Sequence, residues 1–251
     1  KTKCIIAPHI YGLPVDMSPL MKIAKEKKIY VIEDTAEAIG LDYNGKKCGS
    51  FGDLSTFSFY ANKHITTGEG GMILTDNLKL AEKCKSLRNI CFNDVRRFKH
   101  FELGWNSRFT NLQAAVGLAQ LEKIKYFVSI KRKIGALYQK NIVSNKNFNK
   151  PQTIFKNSKN IYWVYGLVLK KNSPIKLNTF MKKLKQYGIE TRNFFWPLHQ
   201  QPVLKKMGFF KNQSYPVAEN LARRGFYLPS GLSLENDQIG EVVRIIKEKL
   251  R

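Results

Sequence analysis

The stretch CIIAPHIYGLPVDMSPLMKIAKEKKIYVIED, residues 4–34, decides the fold. CIIAP reads as a buried strand. The loop HIYGLPVDM carries Gly12 and Pro14, and Ser18-Pro19 marks a helix start, with Ser18 as N-cap and Pro19 at the first helical position. Leu20, Ile23 and Ala24 form an apolar stripe on that helix, and IYVIE at 29–33 is the next strand. Strand, helix and strand at this spacing make a βαβ unit, hence a parallel sheet with a right-handed crossover. Ligands in such sheets bind beyond the C-terminal ends of the strands, which is where Asp34 stands.

Downstream, turn signals at Asn44-Gly45, Gly49 and Gly52-Asp53 separate short segments. STFSFY and MILTD are expected strands, and 79–88 an expected helix. An irregular segment spans 93–105. A long helix is expected from about 111 to 128, with Leu112, Ala115, Val116, Ala119 and Leu121 along it, running on toward Ile142. The polar run SNKNFNKPQ at 144–152 is the candidate boundary, giving a large domain at 1–143 and a smaller α+β domain at 144–251. In the second part, IYWVYGLVL at 161–169 is strongly β-prone. Asn178 is a candidate cap for a helix closed by Gly188, IETRNFF is a strand-like piece, and a final amphipathic helix starts near Asp237.

The chain has 251 residues, 43% of them hydrophobic, enough for a substantial core and too many for a disordered chain. It contains no run of 18 apolar residues and no signal peptide, so neither a membrane nor export is expected. Cys4, Cys48, Cys84 and Cys91 match no zinc or CxxC spacing, and read as reduced thiols of a cytoplasmic protein; no metal is expected. The formal charge is +24. Residues 1–128 carry 19 basic and 13 acidic side chains, a net +6, and the remainder carry 24 and 6, a net +18. The lysines are scattered without an arginine-rich arm or RNP-like motif. A solvated basic surface is the better reading, and a nucleic-acid partner is not expected.

STFSFYANKHITTGEGGMILTDN, residues 55–77, puts Lys63 between a strand and a glycine-rich turn. A lysine on its own is an ordinary surface residue. Here Thr66, Thr67, Gly68, Gly70 and Gly71 allow close backbone approach. Burial would lower the amine's proton affinity and free it as a nucleophile able to form a Schiff base with an aldehyde cofactor. Asp34 is the matching carboxylate for a pyridine nitrogen, Ser58 a hydroxyl for a phosphate, and Glu37 a carboxyl near the ring.

VIEDTAEAIG, FGDLSTFSFYANKHITTGEGGMILTD, GWNSRFTNLQAAVGLAQLE and GIETRNFFWPLHQQP, in this order, resemble the DegT/DnrJ/EryC1/StrS family of sugar aminotransferases. Within it they are most similar to members that aminate C4 of a nucleotide-linked 4-keto-6-deoxy sugar for polysaccharide biosynthesis. The resemblance covers essentially the whole chain. It implies a type I pyridoxal phosphate (PLP) transferase fold, aspartate aminotransferase-like: an incomplete large α/β/α domain followed by a small α+β domain. It also implies PLP as cofactor, glutamate as amino donor and a homodimer. Lys63 would hold the cofactor, Asp34 pair with its ring nitrogen, Glu37 lie near the ring and Ser58 bind the phosphate. Asn106 would reach the partner subunit's phosphate. Arg108 and His199 would lie on the substrate side.

Three departures bear on that reading. Ser107 stands where many relatives have tyrosine. The family's N-terminal part, with a Gly-Thr loop under the phosphate and an aromatic on the ring, precedes the strand at 4–8 and is not in this sequence, so the chain is expected to be the later part of something longer. His64 follows Lys63, and some dehydratases of the family carry histidine in place of the lysine. Lys63 lies five residues after Ser58, the family's spacing for the Schiff-base residue, which favours the aminotransferase. The alternatives are a PLP-dependent nucleotide-sugar dehydratase, or a truncated non-catalytic protein acting as a basic binding module.

Overall fold

A computed structural model describes residues 1–92, 95–96, 98–142 and 147–249. They form two compact units. The first comprises residues 1–129 and 153–163, the second 130–152 and 164–251. The boundary expected at 143/144 lies outside the described residues, as do positions 93, 94 and 97 of the segment expected to be irregular.

In the first unit, β1 (Cys4–Pro8), α1 (Met17–Lys27) and β2 (Tyr30–Asp34) form the expected βαβ unit, with β1 and β2 parallel from Cys4↔Tyr30 to Pro8↔Asp34. The tight turn at Asn44-Gly45, both residues at positive φ, joins β3 (Asp42–Tyr43) to β4 (Lys46–Lys47). Parallel to β2 runs β5 (Leu54–Ser58), and β6 (Gly71–Leu74) pairs antiparallel with β5. The sheet order is β1-β2-β5-β6. Ala7, Met17, Ala24, Val31, Leu41 and Tyr43 form the core beneath it. The register Asp34↔Thr56 sets the C-terminal ends of β2 and β5 side by side, with Ser58 two residues beyond Asp34's partner Thr56.

Several local expectations change. Among the described residues β1 pairs with β2 alone; Ile6 is exposed and Ala7 buried, where CIIAP reads as a buried strand. α1 begins one residue before Ser18, with Asp16 preceding it; the Tyr43 hydroxyl meets both the Asp16 and Ser18 side chains, so neither caps the helix. α2 (Leu78–Arg88) starts at Asn77, whose side chain accepts the Leu80 N–H. The single long helix expected from 111 is two: α3 (Asn111–Leu121), held by a Thr110/Gln113 capping box, and α4 (Ile124–Asn141). The apolar side chains Leu112 and Leu118 of α3 are exposed.

The β-prone run at 161–169 is split as well. Only β10 (Tyr165–Leu169) is a strand. Upstream of it, the hairpin β8 (Ile154–Phe155) and β9 (Ser158–Lys159) and then Ile161–Trp163 belong to the first unit. The Asn160 side chain accepts the Tyr162 N–H at 2.7 Å, Tyr162 takes φ +47°, and the Ile161 N–H donates to the Gly12 carbonyl at 3.1 Å. Local side-chain and loop bonds have displaced the ladder that propensity favours.

In the second unit, β7 (Phe148–Asn149), β10, β11 (Arg192–Asn193) and β12 (Gly225–Leu228) form an antiparallel sheet in the order β11-β12-β10-β7. α5 (Leu177–Gln186) begins after Lys176 rather than Asn178 and closes at Gly188. α6 (Pro202–Lys206) and α7 (Pro216–Arg224) follow. In α8 (Asn236–Lys249) Ile239, Val242, Val243 and Ile246 are buried, as their spacing requires. Phe148, Phe180 and Phe226 pack as a triangle with ring centroids 5.7–5.9 Å apart. All four cysteines carry free thiols, and among the described residues no helix is long and apolar enough to cross a membrane.

Gly12, in the loop after β1, packs closely against the returning segment. Its φ is +96°, and a Cβ there would sit 2.7 Å from the Tyr162 nitrogen and 2.9 Å from the Trp163 nitrogen. Gly12→Ala is therefore expected to lower stability by about 2 kcal/mol or more. A fall in the urea midpoint checks it, and an unchanged midpoint would refute the crowding.

Candidate functional site

Lys63 sits in the turn that follows β5, its N–H donating to the Tyr60 carbonyl at 3.0 Å. Its side chain is only 11% exposed and its Nζ lies 3.9 Å from Oε1 of Glu37. Glu37 Oε2 accepts the Tyr11 N–H at 2.8 Å. Burial holds the Lys63 ammonium below the usual lysine range, against the opposing charges of Glu37 and Asp34. Burial also pushes the Glu37 carboxyl up to about 7, against the Tyr11 N–H and the Lys63 charge, with Asp34 adding to the rise. Asp34, Glu37 and Lys63 thus act on one another electrostatically at the C-terminal end of β2. Asp34 Oδ1 accepts the Ala36 N–H at 3.1 Å, and Ser58 Oγ accepts the Tyr60 N–H at 3.3 Å.

His64 points elsewhere. It is buried, with Nε2 3.2 Å from the Ile161 carbonyl, and serves as an anchor for the returning segment.

Asn106 and Arg108 form their own exposed pair, Arg108 Nε donating to Asn106 Oδ1 at 2.8 Å. The flanking backbone is pinned to the end of α2: the Trp105 N–H donates to Leu87 and the Ser107 N–H to Arg88. Arg108 also lines an open hollow of about 840 Å³ over β6, beside Met72, Ile73 and Phe109. His199 belongs to the second unit. It is 5% exposed and its Nε2 lies 2.9 Å from Glu219 Oε1, which also accepts the Tyr215 N–H and the Ser214 hydroxyl. The bond from His199 and these donors hold the Glu219 carboxyl down to about 2.

Four residues of the first unit escape a reading by motif: His9, Tyr11, Glu33 and Trp163. Glu33 is fully buried. Its oxygens accept the N–H groups of Gly49, Phe51 and Gly52 at 2.6–2.8 Å, and His9 Nε2 approaches at 3.1 Å. Burial pushes this carboxyl up, but the four donors outweigh it and hold it below its usual value. The Val15 N–H donates to His9 Nδ1 at 3.0 Å, so Nε2 carries the ring proton and donates to Glu33. A charged residue inside the apolar run IYVIE is the one signal that could have found this network. Trp163 closes the other side: Lys63 Nζ lies 4.3 Å from its ring centroid, and Tyr11 stacks on it at 6.1 Å with the rings 9° from parallel.

Chemically, the first unit offers a desolvated amine, a carboxylate at the neighbouring strand end and a hydroxyl one strand further. That donor set fits an aldehyde cofactor with a basic ring nitrogen and a phosphate. Among the described residues, no group of three His, Cys, Asp or Glu side chains is arranged to hold a metal.

Comparisons with known proteins agree with this chemistry. The model of the DegT/DnrJ/EryC1/StrS aminotransferase family matches residues 1–247. The chain is 41% identical over 249 residues to a GDP-perosamine synthase of Escherichia coli O157:H7, covering 99% of this chain and 66% of that protein. Its fold is similar to that of Helicobacter pylori PseC, an aminotransferase of pseudoaminic acid biosynthesis, with a TM-score of 0.92 at 24% identity over 99% of this chain and 67% of that one. It is also similar to DesV of S. venezuelae, with a TM-score of 0.87 at 27% identity over 100% of this chain and 66% of that one. The type I PLP-transferase fold expected from the sequence is therefore the fold observed. The chain spans about two thirds of the length of these relatives.

Glu37 binds its proton more tightly in the fold than in the unfolded chain. Its contribution to stability is full below about pH 4.5 and is lost as pH rises through about 7. Glu37→Gln is expected to stabilise the protein by on the order of 2 kcal/mol at about pH 8 and by far less at about pH 5. Urea midpoints at the two pH values check this. Equal shifts at both would refute it.

Proposed function

The chain belongs to the DegT/DnrJ/EryC1/StrS aminotransferase family, and we propose that it transfers an amino group from glutamate to the 4-keto carbon of a nucleotide-linked 4-keto-6-deoxy sugar, with PLP held at Lys63. The family is PLP-dependent. The observation that carries the reading is the desolvated Lys63 amine beside Glu37 and Asp34 at the C-terminal end of β2.

Bound PLP supplies an electron sink for the carbon that loses or gains a proton. Lys63 would hold the cofactor through Nζ, for which its lowered proton affinity suits it. Once released, the same Nζ would move a proton from the α-carbon of glutamate to the cofactor, and later one from the cofactor to C4 of the sugar. Asp34 keeps a proton on the ring nitrogen by charge attraction. Glu37 lies near the ring, fixed by the Tyr11 N–H. Ser58 donates its hydroxyl to the phosphate. The basic surface draws in the anionic diphosphate of the sugar nucleotide. Asn106 is assigned to the phosphate of a partner subunit in a homodimer, Arg108 and His199 to the substrate side, and the protein to the cytoplasm. The turn of His64 onto the Ile161 carbonyl supports the lysine, and so amination over dehydration.

The test is to mix the protein with PLP, reduce with borohydride and map the adduct by peptide mass spectrometry. One adduct, on Lys63, is expected, with none in Lys63→Ala. Asp34→Ala is expected to keep the adduct and to lose turnover of a nucleotide-linked 4-keto-6-deoxy sugar with glutamate by ~100-fold or more. Equal trapping by Lys63→Ala would refute the assignment.

A further inference from the structure

Lys63 is gripped by the same tryptophan in two ways. Its Nζ lies over the Trp163 ring, 4.3 Å from the centroid, and the Trp163 Nε1–H donates to the carbonyl of Asn62, the residue before it, at 3.0 Å. The indole therefore fixes both ends of the lysine: the backbone where the side chain leaves and the ammonium where it stops. Trp163 is buried and is itself backed by Tyr11 in a near-parallel stack. Two residues on this wall, Tyr11 at φ +59° and Tyr162 at φ +47°, hold left-handed conformations that cost a bulky residue about 1–2 kcal/mol each. The fold sustains that strain at the place where it sets the indole against the amine.

We propose that Trp163 is a positioning residue for Lys63, its ring face a berth for the ammonium whenever the amine is not covalently engaged. The proposal rests on Lys63 being the reactive amine. In each turnover of an amine transfer the lysine is set free and must be re-engaged, and a freed ammonium in a desolvated site needs a defined place to wait. Carboxylates alone would hold it by charge and draw it toward Glu37 and Asp34. The quadrupole of the indole offers a competing site of the opposite geometry, from which Nζ can swing back. Because the ring favours the charged form, it opposes the effect of burial on this amine.

The test keeps the shape of the wall and changes only its electrons. Mono-, di- and trifluorinated tryptophan is incorporated in place of Trp105, Trp163 and Trp196, with Trp163→Phe protein carrying the same analogues as control. Without cofactor, the rate at which cyanate carbamylates Lys63 is followed by peptide mass spectrometry against pH. The midpoint reports proton affinity and the plateau reports access. The midpoint is expected to fall with each fluorine, so that below it Lys63 reacts about twofold faster per fluorine, with an unchanged plateau. The series is expected to be flat in Trp163→Phe. A midpoint that stays fixed, or that slopes equally in Trp163→Phe, overturns the berth. The two readings fail separately. A flat series with normal PLP trapping at Lys63 overturns the berth alone; a sloping series with no trapping overturns the cofactor assignment and leaves the berth.

Discussion

Burying a carboxylate completely costs several kcal/mol unless its charge is met by donors, and Glu33 is buried completely. Three backbone N–H groups and the ring of His9 meet it. This solvation in place of water ties the loop at 49–52 to the floor of the sheet. Through His9 and Val15 it also ties down the loop that follows β1. That loop carries Tyr11, whose backbone N–H holds Glu37 and whose ring backs Trp163. The arrangement around Lys63 thus descends from one ion next to Asp34 in sequence but alternating to the opposite side of the strand.

The parallel sheet contributes the second constraint. Strand ends that lie in register bring Asp34 and Ser58 to one edge without any loop having to reach. Side chains placed by strands are held more tightly than side chains placed by loops, which matters for groups that must act on one small ring. Lys63 is the exception, because it enters from a turn. Its placement needs the additional contacts that Glu37 and Trp163 provide.

Strand-like runs bounded by turn residues made β1, β2, β5 and β6 legible, and the strand-end rule marks Asp34. The amphipathic stripe of α8 was legible from its helical spacing. What escaped depends on partners far away in the chain. Trp163 reads as the middle of a strand because every residue around it is β-prone, yet Asn160 and Gly12 bend it out of the ladder. Ser18 reads as a cap, and Tyr43 removes it from that duty. Glu33 reads as an ordinary charge until the donors that surround it are seen. The break between α3 and α4 has no signal in Glu122 or Lys123 that we can identify.

The return of residues 153–163 to the first unit makes that unit discontinuous along the chain. Trp163 is 101 residues from the Asn62 carbonyl to which it donates. At ordinary rates of synthesis the lysine turn waits about 5–20 s on the ribosome before its tryptophan emerges. During that interval the segment around Lys63 lacks its wall, and all of residues 130–152 must be made first. Cutting the chain after residue 129 would thus leave the first unit without part of itself, because its last eleven residues, 153–163, come only after a stretch that belongs to the second.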